Sequence, residues 1–253
     1  MKRILRDSVA PWFVIGCVLF ASTAIHAQRG GRGGPPQAPR EAAAVDLTGY
    51  WVSVITEDWK FRMVTPKKSV YETLPLNAEG RKVGDSWDPA RDEAAGEQCR
   101  AYGAGNIMRM PTRLHVTWDD ANTLRIETDA GTQTRLLNFG TAPATPAEPS
   151  WQGRSQATWQ YAPGRGAPRR GSLKVVTTNL RPGYVRRNGA PYSKEATVTE
   201  YFDVNPLPNG DSWLTVTTRV EDPVYFTRPY LTSSDFKKLP NATGWNPTPC
   251  SAK

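Results

Sequence analysis

Residues 113–139, RLHVTWDDANTLRIETDAGTQTRLLNF, contain the pattern that decides the fold. Apolar side chains alternate with polar ones in two runs, at Leu114, Val116 and Trp118 and again at Leu124 and Ile126. A period of two is typical of β-strands, because successive side chains point to opposite faces of a sheet. Short segments containing Asp, Asn or Gly separate the runs. The stretch therefore predicts three antiparallel strands joined by two tight turns.

The first turn sets the pairing of the first two strands. If residues 119–121 form a three-residue loop, Val116 faces Leu124 and Arg113 falls opposite Glu127. Apolar side chains then meet apolar ones, and a charge meets its opposite. This register is the one we expect.

The second turn leaves two registers open. A two-residue loop at Ala130 and Gly131 places Arg135 on the apolar face beside Ile126, whereas a three-residue loop pairs Arg135 with Glu127. The second register is the more ordinary one, because a lone buried charge is costly and a cross-strand ion pair on the surface is common.

The rest of the chain repeats the strand pattern. Further strands are predicted at residues 47–55, 154–161, 173–178, 197–204, 212–221 and 230–238. Asn209-Gly210 is a strong hairpin signal. One short helix is expected within residues 74–87, in an insertion between the first two strands. Many strands, almost no helix and no βαβ alternation predict an all-β protein, either an antiparallel barrel or, as the alternative, a β-sandwich.

Residues 1–27 have the organisation of a secretory signal peptide. A basic start leads into an apolar run over residues 9–25, and small residues follow up to Ala27. This order predicts cleavage near Ala27 and a periplasmic or secreted protein with no stable membrane span. An uncleaved membrane anchor is the alternative, because the apolar run approaches the length that spans a bilayer.

The remaining chain divides into three parts. Residues 28–44, QRGGRGGPPQAPREAAA, predict a disordered Gly/Pro/Arg linker, because they carry too few apolar side chains to bury a core. Residues 45–238 form the predicted β-barrel domain, and residues 239–253 form a Pro-rich tail. The formal net charge is +8. For an exported protein we read the basic linker as a solvated spacer, and we expect no nucleic-acid partner.

Two cysteines, Cys99 and Cys250, remain after the predicted signal peptide is removed. An oxidising compartment favours one disulfide between them, which would tie the tail to the barrel. A pair of free thiols is the alternative.

Gly49-Tyr50-Trp51 opens the first predicted strand, and a meander of short strands follows. A Gly-x-Trp in this position resembles the lipocalins and the wider calycin group. The resemblance implies a closed antiparallel barrel of about 8–10 strands. The run from residues 151–153 through 173–178 to 220–229 looks like a group of exported, uncharacterised bacterial β-proteins. That group supplies a fold expectation and no activity.

Catalytic motifs are scarce. After signal removal the chain keeps a single histidine, His115, and it has no Gly-x-Ser-x-Gly motif, which argues against a serine hydrolase. We expect no metal site, because zinc requires several His or Cys ligands, and we expect no cofactor. An acid/base enzyme needs only a carboxylate or histidine inside the barrel beside a donor. The candidates for such a site are His115, Glu127, Asp129, Arg135, Glu200 and Tyr201.

The aromatic content suits a binding function, and the same residue types also serve in the core of a β-barrel. Nine tryptophans and nine tyrosines suit the wall of a pocket for a flat apolar molecule. The candidate ligand-binding residues are Trp51, Trp59, Arg62, Trp118, Trp159, Tyr184, Arg187 and Arg219. We therefore predict a lipocalin-like barrel that binds a small apolar or aromatic molecule. The alternatives are a cofactor-free lyase, isomerase or hydrolase, and an envelope protein that binds partners through basic residues 163–192. The oligomeric state stays open.

Overall fold

The computed structural model describes residues 37–140, 148–163 and 170–253, and these residues contain eleven β-strands. The strands are β1 (Gly49–Val54), β2 (Arg113–Trp118), β3 (Thr123–Thr128), β4 (Gln133–Phe139), β5 (Arg154–Tyr161), β6 (Gly171–Thr178), β7 (Gly183–Arg186), β8 (Ala190–Tyr192), β9 (Thr197–Pro206), β10 (Ser212–Glu221) and β11 (Tyr230–Leu239). Within this described part, nine strands close into a barrel in the order β1-β11-β10-β9-β6-β5-β4-β3-β2. β7 and β8 form a separate hairpin.

The all-β barrel prediction is confirmed, and the alternative β-sandwich is not formed. Every neighbouring pair in the barrel is antiparallel except β4 and β5, which run parallel over residues 137–139 and 155–157. Short hairpin connections give the antiparallel pairs β2–β3, β3–β4 and β9–β10. The longer stretch between β4 and β5, residues 140–153, permits the one parallel pair.

The first hairpin differs from the predicted register by two residues. Val116 pairs with Ile126, and His115 rather than Arg113 lies opposite Glu127. The turn is longer than predicted, because the Asp120 carboxylate accepts a hydrogen bond from the backbone N–H of Asn122 at 2.7 Å and stabilises a wider loop. A shift of two residues keeps each side chain on its predicted face.

The second hairpin adopts the register that we considered the less ordinary one. Arg135 pairs with Ile126 and points into the barrel, whereas Glu127 pairs with Thr134. Gly131 in the turn has a φ of 74°, a left-handed conformation that favours glycine. The expected surface pair between Arg135 and Glu127 is therefore wrong.

The insertion between β1 and β2 is helical in several short pieces. It contains α1 (Trp59–Arg62), α2 (Ala78–Asp85) and α3 (Pro89–Ala94), followed by 3₁₀ helices at Gln98–Tyr102 and Ile107–Arg109. The predicted single helix corresponds to α2, which begins at the N-cap Asn77, whose side chain accepts a hydrogen bond from Gly80 N. Together with β7 and β8, the insertion packs at one end of the barrel, which we call the far end.

Residues 37–47 pack at the opposite end, which we call the mouth. Ala44 and Leu47 are buried in the main core, and the backbone N–H of Arg40 donates to Ala121 O in the β2–β3 turn at 3.1 Å. The last eight residues of the predicted disordered linker thus lie against the barrel. The predicted signal peptide, residues 28–36 and the basic residues 164–169 lie outside the described residues.

The C-terminal tail returns along β2 and β3 to the far end. Thr248 bridges to Ala130, and Cys250 forms the predicted disulfide with Cys99, with an S–S distance of 2.00 Å. Trp245 packs edge-on against the ring of Tyr50 at 5.9 Å. The disulfide prediction is confirmed. No helix in the described ranges has the length and apolar content needed to cross a membrane.

Candidate functional site

The barrel interior is filled with side chains. The inward-facing residues of its middle layer are at most 1 % exposed, namely Trp51, Leu114, Val116, Leu124, Ile126, Leu137, Leu173, Val175, Phe202, Leu214, Val216 and Phe236. Side chains with so little accessible surface do not line a space that admits water. Trp51, predicted as a pocket wall, is a core residue whose indole N–H donates to Leu47 O at 2.9 Å.

Two of the predicted catalytic residues meet inside the barrel. The Arg135 guanidinium donates to the Glu200 carboxylate through Nη1 at 2.9 Å and through Nη2 at 2.5 Å. Both side chains are fully buried. Tyr192 lies nearby, and burial raises the pKa of its phenol, while the Arg135 charge partly opposes that rise. The chemistry of an acid/base site is present, but solvent does not reach it.

The other catalytic candidates do not join this pair. His115 Nδ1 lies 2.9 Å from Glu127 Oε2, and its ring stacks on Tyr50 with a centroid distance of 4.2 Å. These side chains are on the outer face of the barrel, as is Tyr201, because Leu114 and Phe202 beside them point inward. His115 therefore lies outside the barrel interior, beside Glu127.

Asp129 has a structural role at the end of β3. Its Oδ1 accepts hydrogen bonds from Thr112 Oγ1 at 2.9 Å and from Arg113 N at 2.7 Å. The Arg113 guanidinium lies 3.6 Å from its other carboxylate oxygen. These contacts hold the entry of β2 against the end of β3.

Three of the predicted ligand-binding residues lie together at the far end. Trp59 is 63 % exposed on α1, whereas Arg62 on the same helix is buried. Arg62 Nε donates to Arg109 O at 2.9 Å, and Arg187 Nη2 donates to Arg62 O at 3.1 Å. Burial lowers the pKa of Arg62, and the nearby Glu57 carboxylate opposes that effect. The two arginines fasten α1 to the fold.

Tyr184 and Arg219 occupy separate structural positions. Tyr184 OH donates to Asp92 Oδ2 at 2.7 Å and accepts from Arg100 Nη1 at 3.1 Å. Burial, followed by the hydrogen bond to Asp92, raises the pKa of Tyr184 to about 12. Arg219 forms a half-exposed ion pair with Glu221 on the outer face of β10.

The mouth brings the remaining two predicted tryptophans together. Trp118 and Trp159 flank Phe139, with ring centroids 5.6 and 5.3 Å from the phenylalanine ring. The Trp159 indole N–H donates to Pro39 O at 2.8 Å, and Tyr161 OH donates to Ala42 O at 2.8 Å. An aromatic cluster therefore supports residues 37–47 across the end of the barrel.

Three grooves lie along both sides of this segment. One of about 450 Å³ runs beside Arg40, Asp46 and Trp118. A second of about 430 Å³ is lined by Phe139, Trp159 and Tyr161 among others. The third, of about 590 Å³, lies between residues 44–46 and the ends of β6, β9, β10 and β11. These volumes fall within the range of small-molecule sites.

Several residues of the mouth were not among the predicted site residues. Phe139 ends β4 on the inward face, and Val204 and Lys238 line the largest groove. The alternation that predicted these strands assigns Phe139 and Val204 to the inner face, so a signal was present for both. The position of residues 37–47 had no such signal, because their composition is that of a linker.

Among the described residues, no group of three or more His, Cys, Asp and Glu side chains is placed to hold a metal ion. No protein-family model matches the chain, and no curated protein matches it either.

Proposed function

We propose that this protein is an exported barrel that binds a small apolar or aromatic molecule in the grooves at its mouth. The observation that carries the proposal is the position of the grooves, two of which open beside the cluster of Trp118, Phe139 and Trp159. Aromatic rings provide a large contact area at a low cost in side-chain entropy. The resemblance to the lipocalins supports binding at a barrel end but does not identify the ligand.

The mouth is a better place for a ligand than the barrel lumen. The lumen side chains are packed against one another, so a ligand there would have to displace buried apolar groups. At the mouth, Trp118 is only partly buried, and space is present beside it without any rearrangement.

Titration with phenylnaphthylamine, a neutral aromatic probe, tests this function. We expect saturable one-to-one binding that quenches tryptophan fluorescence and protects the protein against thermal unfolding. Trp118→Phe and Trp159→Phe each keep an aromatic ring, and we expect each to remove part of the quenching. Trp59→Phe is the matched control, because Trp59 is exposed on α1 at the far end. Non-saturable binding, or quenching that is lost only with Trp59, would refute the proposal.

A cofactor-free acid/base enzyme is the second candidate, and one observation favours it. Glu200 lies inside the barrel within hydrogen-bonding distance of Arg135, as that mechanism requires. A substrate would have to open the packed interior to reach the pair. For this reason we rank catalysis below binding at the mouth.

The third candidate, envelope interaction through basic residues 163–192, receives less support from the part of that region that the structure describes. Arg186 is buried and donates to Glu72 O, and Arg181 pairs with Glu97 at 2.6 Å. Arginines that are engaged within the fold contribute little to an external partner.

A further inference from the structure

The largest of the three grooves at the mouth is lined by charged side chains as well as apolar ones. It holds about 590 Å³ between residues 44–46 and the ends of four strands. We infer that this groove takes an organic anion, a molecule with an apolar body and a carboxylate or sulfonate group. This inference rests on the proposed function and adds the charge of the ligand to it.

Two cations line the groove from different strands. Lys238 belongs to β11, and Arg170 directly precedes β6. Within the described residues neither side chain forms an ion pair with a carboxylate. Cations that already have partners gain little from an additional anion, whereas both of these are available to a ligand.

Lys238 is also held in place by the core. Its ammonium lies 5.3 Å from the centroid of the Trp51 ring, which is itself fully buried. This cation–π contact restrains the end of a flexible side chain at the base of the mouth. A restrained ammonium loses less conformational entropy when it binds an anion than a free surface lysine loses.

Asp46 is the carboxylate that lines the same groove. Its Oδ1 accepts hydrogen bonds from Thr48 N at 2.9 Å and from Thr48 Oγ1 at 2.7 Å, so it is directed toward its own turn. Lys238, Arg170 and Asp46 together give the groove a net charge of +1. Electrostatic attraction in the groove therefore favours an anion over a cation.

Part of the groove surface is apolar. Ala44, Val45, Val204 and Pro206 line it, and Asn205 and Ser212 supply neutral polar groups. A groove lined by apolar residues together with two cations matches a molecule that has a hydrocarbon body and one anionic group. Inorganic phosphate or sulfate would leave the apolar residues without a partner.

A matched pair of probes tests the inference with the complete mature chain. Anilinonaphthalene sulfonate carries an anionic group, and phenylnaphthylamine has the same ring system without it. We expect the sulfonate to bind about fivefold more tightly at low salt, the size of a partly exposed ion pair. We also expect this preference to shrink as salt is added.

Single substitutions test which side chains cause the preference for the sulfonate over the neutral probe. Lys238→Gln and Arg170→Gln are each expected to weaken sulfonate binding severalfold and to leave phenylnaphthylamine binding within twofold. Asp46→Asn should strengthen sulfonate binding. Lys82→Gln, which removes an exposed charge from α2, is the control and should change neither affinity. If Lys238→Gln lowers the melting temperature, the Arg170 and Asp46 variants still provide the comparison.

The outcomes separate this inference from the proposed function. If both probes bind equally in every variant, the anion preference is refuted while binding at the mouth stands. If neither probe saturates, the proposed function fails as well. If the sulfonate preference is the same in Lys82→Gln and is lost in Lys238→Gln and Arg170→Gln, the inference is supported.

Discussion

Arg135 on β4 and Glu200 on β9 form a two-point ion pair inside the barrel, and neither side chain has any exposed surface. The two residues are 65 positions apart in the chain. Thr177 Oγ1 lies 3.4 Å from Arg135 Nη2 and 2.8 Å from Ser155 Oγ, so two small hydroxyls lie on one side of the pair. Each of the two buried charges is therefore stabilised in the core by the opposite charge of its partner.

Removing one partner should be strongly destabilising. Glu200→Gln leaves the Arg135 guanidinium buried without a counter-charge, and we expect the free energy of unfolding to fall by about 3–5 kcal/mol. Urea titration followed by circular dichroism measures the change. The control is Glu221→Gln in the half-exposed pair with Arg219, for which we expect a loss of less than about 1 kcal/mol.

The double substitution Arg135→Met with Glu200→Leu should recover most of the stability that Glu200→Gln loses. Replacing both charges by apolar side chains removes the cost of burying them. A double variant that is less stable than Glu200→Gln would show that the pair itself contributes net stability.

The disulfide should carry much of the stability of the C-terminal tail. Cys99 and Cys250 close a loop with a sequence separation of 151. The chain-entropy model gives about 5 kcal/mol for a loop of that length, an upper figure when the reduced chain keeps structure. Reduction, or Cys99→Ser with Cys250→Ser, should also expose the tail to carboxypeptidase digestion. Equal digestion of the oxidised and reduced proteins would mean that other contacts hold the tail.

Tyr184 and Tyr71 should make the protein sensitive to alkali. Burial is the main cause that raises the pKa of each phenol to about 12, and hydrogen bonds to Asp92 and Asp85 contribute. The unfolded chain loses these protons near pH 10, so the folded protein holds more protons above that pH. The stabilisation is complete below about pH 10 and is lost as the pH rises toward 12.

The free energy of unfolding measured across this pH range checks the prediction. Tyr184→Phe cannot ionise, so its stability should fall less steeply with pH than that of the wild-type protein. Tyr161→Phe is the control, because Tyr161 is half exposed at the mouth. If stability fell with pH as steeply in Tyr184→Phe as in the wild-type protein, the raised pKa of Tyr184 would not be the cause of the alkaline sensitivity.

Substitution of Arg62 should lower the free energy of unfolding much more than substitution of Trp59, although both residues lie on α1. Arg62→Met removes the buried hydrogen bond to Arg109 O, and we expect a loss of about 1.5–3 kcal/mol. Trp59→Ala removes an exposed side chain and should change stability by about 0.5 kcal/mol or less. Chemical denaturation of both variants measures the difference. If Trp59→Ala lowered stability as much as Arg62→Met, the Trp59 side chain would have to be buried in solution.

Local patterns predicted the strands well. β5 and β10 begin and end at the predicted residues, and β9 extends two residues beyond the predicted end. Alternation of apolar and polar side chains is a local property, so it can be read without knowing any partner strand. The hairpin β7–β8 was not among the predicted strands, because Gly183, Pro191 and a three-residue turn interrupt the alternation.

Site residues were harder to predict because their roles depend on distant partners. Arg135 was expected on the surface beside Glu127, a carboxylate on the neighbouring strand β3. Its actual partner, Glu200, lies on a strand that only barrel closure brings across the lumen. The lone carboxylate between Val198 and Phe202 on the inner face of β9 was the available signal. Trp51 and Trp59 likewise have residue types suited to a pocket but lie in the core and on the far end.

By itself, the sequence determined the all-β class and the positions of most strands and predicted the disulfide between Cys99 and Cys250, because each follows from periodicity or from composition. Only the tertiary structure decided which side chains meet. Closure of the barrel buried Arg135 against Glu200 and packed the lumen, and residues 37–47 created grooves beside Trp118 and Trp159. These contacts join residues that are far apart in the chain. They form, and stabilise the fold, only once the strands have closed into the barrel.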